Sequence, residues 1–405
     1  MVTFLRRKLN SLPPPRHILL FISLMLLFLA LGLDTKRYES LQFAGICSVY
    51  CLLREKPSLK NLKSPALFLP LLFITYVIFR PFNILIDVHL GIKMFLAFGC
   101  GIALITFFPK HYHIPILVFP VTLATIFINS YLNDFTGQWL ANRYCMHFFP
   151  DPNILGYTLG VAILFCISSK YFSSRYFSAF CIFIAILCAI PLVMSASRSA
   201  IGGICAVTLF LLLLPGRRKY FFGILILIIV ISVSLLFLPK PLFERLKISF
   251  LKSDDSFTNR IMAWEIATDS IKENMFFGKS NYGAFFKNYV KENSIELSKK
   301  YPGIAHSILY DTHNLLLGLV FKYGLIGFFI ILFCSGYYIY VFRKSDYSIL
   351  FLSIFVYTFI SGIGSYYFDH TIGITSIFIP MGMNITLKRE CSAISKDIDT
   401  IKLIM

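Results

Sequence analysis

Residues 221–255 read FFGILILIIVISVSLLFLPKPLFERLKISFLKSDD. The first part, 221–238, is an apolar run long enough to cross about 30 Å of hydrocarbon as a helix. The second part opens a hydrophilic stretch that continues from Lys240 to Thr312, after which the chain turns apolar again. That transition sets the architecture: membrane-spanning helices on either side of one long polar segment. A bilayer offers backbone groups no water, so a spanning run of this kind must satisfy its own hydrogen bonds as a helix.

The rest of the chain agrees. Apolar residues make up 57% of the 405 positions and the mean hydropathy is +0.74, more apolar than a soluble domain of this size. Comparable runs lie at 18–33, 39–53, 65–79, 88–108, 114–130, 154–169, 176–194, 200–215, 325–342, 347–362 and 372–387. The fold predicted is an all-α polytopic membrane protein with about 12 transmembrane helices. It divides into transmembrane helices over 1–239, a periplasmic loop with amphipathic helices over 240–324, three further spans over 325–390, and a cytoplasmic tail over 391–405. The start, Arg6-Arg7-Lys8 followed by Ile18–Leu33, imitates a signal peptide. Asp34-Thr35-Lys36-Arg37 then leads into another span with no small-residue cleavage site, so the first helix is expected to be retained.

Basic residues orient the chain. One set of short connections holds Arg54, Lys56, Lys60, Lys63, Lys110, Lys170, Arg175, Arg217, Arg218, Lys219, Arg343 and Lys344, with both basic tails. The opposite set holds Lys36, Arg37, Arg80, Arg143 and Arg198. The bias puts both termini in the cytoplasm and the long loop outside. The net charge of +18 is then retention charge with an affinity for anionic membrane lipid; no nucleic-acid motif accompanies it. The ten cysteines fall mostly inside spans, where they act as small apolar groups, and imply no disulfide framework. No Cys/His cluster has metal-ligand spacing, and Lys93 is the one clear charge inside a span.

Within the loop, two helices are expected. The first starts near Ser256–Asn259 and places Ile261, Trp264, Ala267 and Ile271 on one face. The second runs from about Ala284 to Lys300 and breaks at Pro302-Gly303. A third helix begins at His313 or Asn314, capped by Asp311 or Thr312, and is interrupted at Lys322-Tyr323-Gly324. In its first turn His313 would be held neutral by the helix dipole, and a neutral imidazole can take a proton from a hydroxyl. The bland alternative is a capping or interface histidine. Arg198 lies in the short outer turn Met194-Ser195-Ala196-Ser197-Arg198-Ser199-Ala200, and Arg260 is placed at a helix start. Two guanidiniums near helix N-termini suit a diphosphate, since each planar fork binds phosphate oxygens in pairs. The alternative for each is a snorkelling or salt-bridged arginine. Asp151-Pro152-Asn153 is read as a turn ending a loop.

These features together resemble the O-antigen ligase family of the O-antigen ligase/polymerase superfamily. The residues that carry the resemblance are Ser197-Arg198-Ser199, Arg260 with Trp264-Glu265-Ile266-Ala267, and His313-Asn314 with Gly324-Leu325-Ile326-Gly327 downstream, in a layout with one long external loop before the last three spans. The resemblance implies an inverting, metal-independent glycosyl transfer on the periplasmic face that needs no cofactor. The donor is undecaprenyl-diphosphate-linked O-polysaccharide and the acceptor a sugar hydroxyl of lipid A-core oligosaccharide. It implies His313 as the base, and Arg198 and Arg260 as the diphosphate ligands. Asn314, Trp264 and Arg143 are supporting residues. Some family members carry a second histidine two residues before the His-Asn pair, where this chain has Asp311. The segment Asp151-Pro152-Asn153-Ile154-Leu155-Gly156 also resembles one common among O-antigen polymerases, so both enzymes stay open. A twelve-span transporter is the third reading. The connection from Lys170 to Arg175 is too short for the usual junction of two six-span halves, and no pair of broken helices with mid-membrane charge is evident.

Overall fold

The structure is a computed structural model. It describes residues 14–33, 37–55, 65–80, 84–108, 111–134, 139–140, 143–144, 151–169, 175–213, 255–279, 282–301, 312, 314–342, 348–362 and 370–383. The expected span 221–238, His313 and both tails lie outside the described residues.

Helix α1 (Pro15–Leu33) shows why the chain suits a membrane. Leu20, Leu24, Leu27 and Leu31 are buried, whereas Ile18, Ile22, Leu26 and Leu29 on the other side are exposed. A helix apolar on both its packed and its open face is stable only where the surroundings are themselves apolar. Helices α2 (Arg37–Glu55), α3 (Pro65–Phe79), α4 (Ile84–Phe107), α5 (His113–Asp134), α6 (Pro152–Ser169), α7 (Arg175–Met194) and α8 (Arg198–Leu213) follow. Then come α9 (Asp255–Glu273), α10 (Tyr282–Glu292), α11 (Ser294–Lys300), α12 (Leu315–Phe342) and α13 (Ser348–Ser361), and α14 (Thr371–Met383). Among the described residues, five helices are long and apolar enough to cross a membrane, and five shorter apolar helices stand beside them. The chain is a helical multi-pass membrane protein. Among the described residues, the one departure from all-α is a pair of two-residue strands, Trp139–Leu140 (β1) against Arg143–Tyr144 (β2); the strand carrying Arg143 lies near α7.

Helix α1 packs on α2 and α5, α3 on α4 and α12, α6 on α7 and α13, and α8 on α13. Without a hydrophobic driving force between helices in lipid, close approach of small residues takes its place. At Gly101 of α4 a methyl group would meet the Ile379 carbonyl of α14, and at Gly382 it would meet the Phe98 carbonyl.

Helix α12 is two helices end to end. Gly324 has φ 66° and ψ −179°, which no helix contains, and the positive φ suits glycine. The interruption expected at Lys322-Tyr323-Gly324 is therefore a true break. It frees backbone groups that a bilayer would leave unsatisfied, and five of these are met by other parts of the protein. The Lys279 N–H donates to Phe321 O (2.7 Å), while Leu325 N–H donates to Met275 O (2.9 Å) and Ile326 N–H to Phe276 O (3.3 Å). Tyr76 Oη donates to Tyr323 O (2.5 Å) and Arg80 Nη1 to Lys322 O.

The sequence puts Arg80 in a short outer connection. The structure instead buries it, because its guanidinium serves the break. Its Nε donates to Asp87 Oδ2 (2.7 Å) and its Nη2 to Asp87 Oδ1. The cation lies 5.0 Å from the Tyr323 ring centre, and neither side chain of the pair has measurable exposure. Lys93, which rests over the Tyr38 ring, is therefore not the only charge in the apolar body.

Candidate active site

Helices α6, α8 and α12 begin, and α13 ends, at one end of the bundle. Three close approaches establish this. A Cβ on Gly156 of α6 would fall 2.6 Å from Ser197 Cβ; one on Gly203 of α8 would fall 2.8 Å from Tyr357 Cδ2; and one on Gly362 would fall 2.6 Å from Leu315 Cβ. Position 362 directly follows α13. The starts of α8 and α12 thus meet the same helix end.

The α8 start is built by its serines. Ser195 Oγ donates to Leu192 O (2.7 Å) and accepts from Ser197 N–H (3.3 Å). Ala196 between them takes φ 48°. The Ile201 N–H returns to Ser197 O (3.0 Å), so helix begins at Arg198 with that side chain half-buried. Beside it, Asp151 caps α6: its Oδ1 accepts from Asn153 N–H (2.7 Å) and its carbonyl from Leu155 N–H (2.9 Å). The segment read as the end of a loop is thus a helix cap. Beneath both starts lies a buried hydroxyl layer. Tyr157 Oη is 2.9 Å from Thr358 Oγ1 and 3.0 Å from Ser376 Oγ, and Tyr357 Oη donates to the carbonyls of Gly156 and Tyr157 (both 3.2 Å).

The α12 start differs from expectation. Asn314 Oδ1 accepts from Leu317 N–H (3.1 Å), so Asn314 is the cap, in place of Asp311 or Thr312. Thr312 supports it, its Oγ1 accepting from Asn314 N–H (3.3 Å). Helix begins at Leu315, two positions beyond His313. His313, expected in the first turn, lies outside the described residues.

Helix α9 is tied to this point. Trp264 Nε1 donates to the Thr312 carbonyl at 2.8 Å, on the residue just before His313. Arg260 precedes Trp264 by four positions, which stacks the two on one helix face, and it is half-buried. It is not at a helix start as expected, since α9 begins at Asp255 and Arg260 falls in its second turn. The apolar face is also rotated: Met262, Ala263, Ile266 and Ala267 are buried, and Ile261 is 40% exposed. The second loop helix is two, α10 and α11, divided at Asn293. The end of α11 clamps α9, Lys300 Nζ and Tyr301 Oη both donating to the Glu265 carboxylate. Those bonds, the lysine's first, hold the Glu265 carboxyl below its usual range. A depressed acid stabilises the fold above its unfolded value and loses that contribution as pH falls through the folded one, so the clamp outlasts mild acid. Among the described residues, no three of His, Cys, Asp and Glu are placed to hold a metal ion.

One consequence is measurable at Trp264. Trp264→Phe removes a hydrogen bond worth about 1 kcal/mol. Amide exchange over Asp255–Glu273 should then quicken about fivefold. Unchanged exchange would show that the indole does not hold α9.

The sequence therefore singled out Arg198, Arg260, Trp264 and Asn314, and the structure links the last two through Thr312, with Arg260 one turn from Trp264. It brings the Arg198 turn to the same end through α13. Arg143 lies on β2, which packs near α7. Sequence reading missed Arg80, Asp87 and Tyr76, which hold the break nine residues into α12; Arg80 and Asp87 offered a signal only as opposite charges seven positions apart. No curated protein matches the chain. Residues 183–332 match a family model described as O-antigen ligase. That match runs over Arg198, Arg260 and His313 and covers less than half of the chain, and over this stretch the chain is similar to the O-antigen ligase superfamily.

Proposed function

We propose that the protein is an O-antigen ligase of a bacterial inner membrane, working on the periplasmic face. It moves polysaccharide from undecaprenyl diphosphate to a sugar hydroxyl of lipid A-core and so completes lipopolysaccharide. The observation that carries this reading is the Trp264–Thr312 bond, which sets the Arg260 helix against the chain entering His313-Asn314.

In the reaction the acceptor O–H gives its proton to His313. The acceptor oxygen forms the new glycosidic bond from the side opposite the leaving group, with inversion. The bond between sugar and diphosphate breaks, and the electron pair leaves on the diphosphate. Arg198 and Arg260 hold that group and stabilise its growing charge, which is where a preorganised site contributes most. The donor arrives already activated, so the chemistry asks for neither nucleotide nor metal.

A second reading is the O-antigen polymerase, favoured by Asp151–Gly156 packing on the Ser197 turn. The lipopolysaccharide pattern of a deletion strain separates the two. Bare core with accumulated long lipid-linked polymer supports the ligase; core bearing a single repeat unit supports the polymerase. An unaltered pattern discards both. The transporter reading gains little from the break in α12, because protein groups already occupy its freed carbonyls and N–H groups.

A further inference from the structure

We infer that the turn Met275-Phe276-Phe277 is seated in the boundary between headgroups and hydrocarbon, so that the α9–α11 segment is anchored to lipid as well as to the helices. Met275, Phe276 and Phe277 are 43%, 61% and 42% exposed. They follow Lys272-Glu273 and precede Lys279, whose ammonium pairs with Glu273 (2.7 Å). An apolar tip with a charged rim is the pattern of a segment that enters a membrane surface from the water side.

The level of the tip is fixed by its backbone. The carbonyls of Met275 and Phe276 accept from Leu325 and Ile326, the first residues beyond the α12 break. From that level downward Ile326, Phe329 and Phe333, spaced three and four apart, are exposed along one side of α12, and an exposed apolar stripe on a spanning helix faces lipid. The tip therefore lies at the height where that lipid-facing stripe begins. Left in water, three such side chains would forgo about 25 cal/mol for each Å² they could otherwise bury. The turn cannot withdraw either. A Cβ on Gly278, at φ 73°, would fall 2.5 Å from the Gly324 nitrogen, and one on Gly324 would meet the Phe276 carbonyl. The two glycines interlock the turn with the span.

The test places a photoreactive p-benzoylphenylalanine at position 276, at 277, or at the exposed Lys287 of α10. The full chain is reconstituted in vesicles of phosphatidylethanolamine and phosphatidylglycerol and irradiated. Lipid adducts at 276 and 277, absent at 287, are expected. Equal adducts at all three positions overturn the inference, since labelling would then follow exposure alone. Cross-links to a second copy of the chain, or no adduct at 276 and 277 in protein that elutes as a single species, overturn it as well. The result is independent of the reaction catalysed.

Discussion

Changing Arg80 to methionine lowers the stability of the folded protein by about 3–5 kcal/mol, the loss expected when one partner of a buried ion pair is removed. Asp87 is left charged and out of reach of water, and the Lys322 carbonyl loses its donor at the helix break. The cation over Tyr323 goes too. Removing both charges is milder: in Arg80→Met/Asp87→Leu no buried charge is left alone, and most of the loss should be recovered. Arg80→Lys falls between, because one ammonium cannot reach two carboxylate oxygens and a carbonyl in a fixed fork. Melting temperatures in detergent, taken for all three variants with the parent, order these outcomes. A single variant as stable as the parent would falsify the account of the pair as a clamp on the break.

How much of this was legible in the sequence follows from which forces are local. Helix positions were, because an apolar run long enough to cross a bilayer has few other stable fates; α1 to α8 fall on their expected runs. The face each helix buries was not. In a soluble helix, polarity marks the outer side, but here lipid-facing Ile22 and Leu26 are as apolar as buried Leu24 and Leu27. The loop carries polarity, yet its register still slipped. Asp254, Asp255, Ser256, Thr258 and Asn259 can all cap a helix, and choosing the later ones moved Arg260 from the second turn to the first. The same crowding of Asp311, Thr312 and Asn314 hid which of them caps α12. Gly324 announced the break, but its partners Met275, Phe276 and Lys279 are some fifty residues away, and Arg80 and Tyr76 far more. Such pairings belong to tertiary structure, and composition carries no trace of them.

His313→Ala should abolish transfer, slowing it about 10²–10⁴-fold, the usual contribution of a positioned base. Two controls separate a lost base from a lost fold. The variant should keep its Trp264–Thr312 tether and Asn314 cap, neither of which uses the imidazole, and amide exchange over Asp255–Glu273 should match the parent. Arg260→Lys tests a different part of the site: it keeps the charge but not the two-pronged grip on phosphate oxygens, so it should fail mainly with the diphosphate donor. If Arg198 and Arg260 hold one diphosphate, their double replacement should cost less than the product of the single losses, because each single variant already breaks the shared grip. Transfer from a diphosphate-linked glycan to lipid A-core, measured with purified protein in vesicles, reads all of these. Full transfer by folded His313→Ala would remove the base from the mechanism. Multiplicative losses at the two arginines would mean that they act on separate groups.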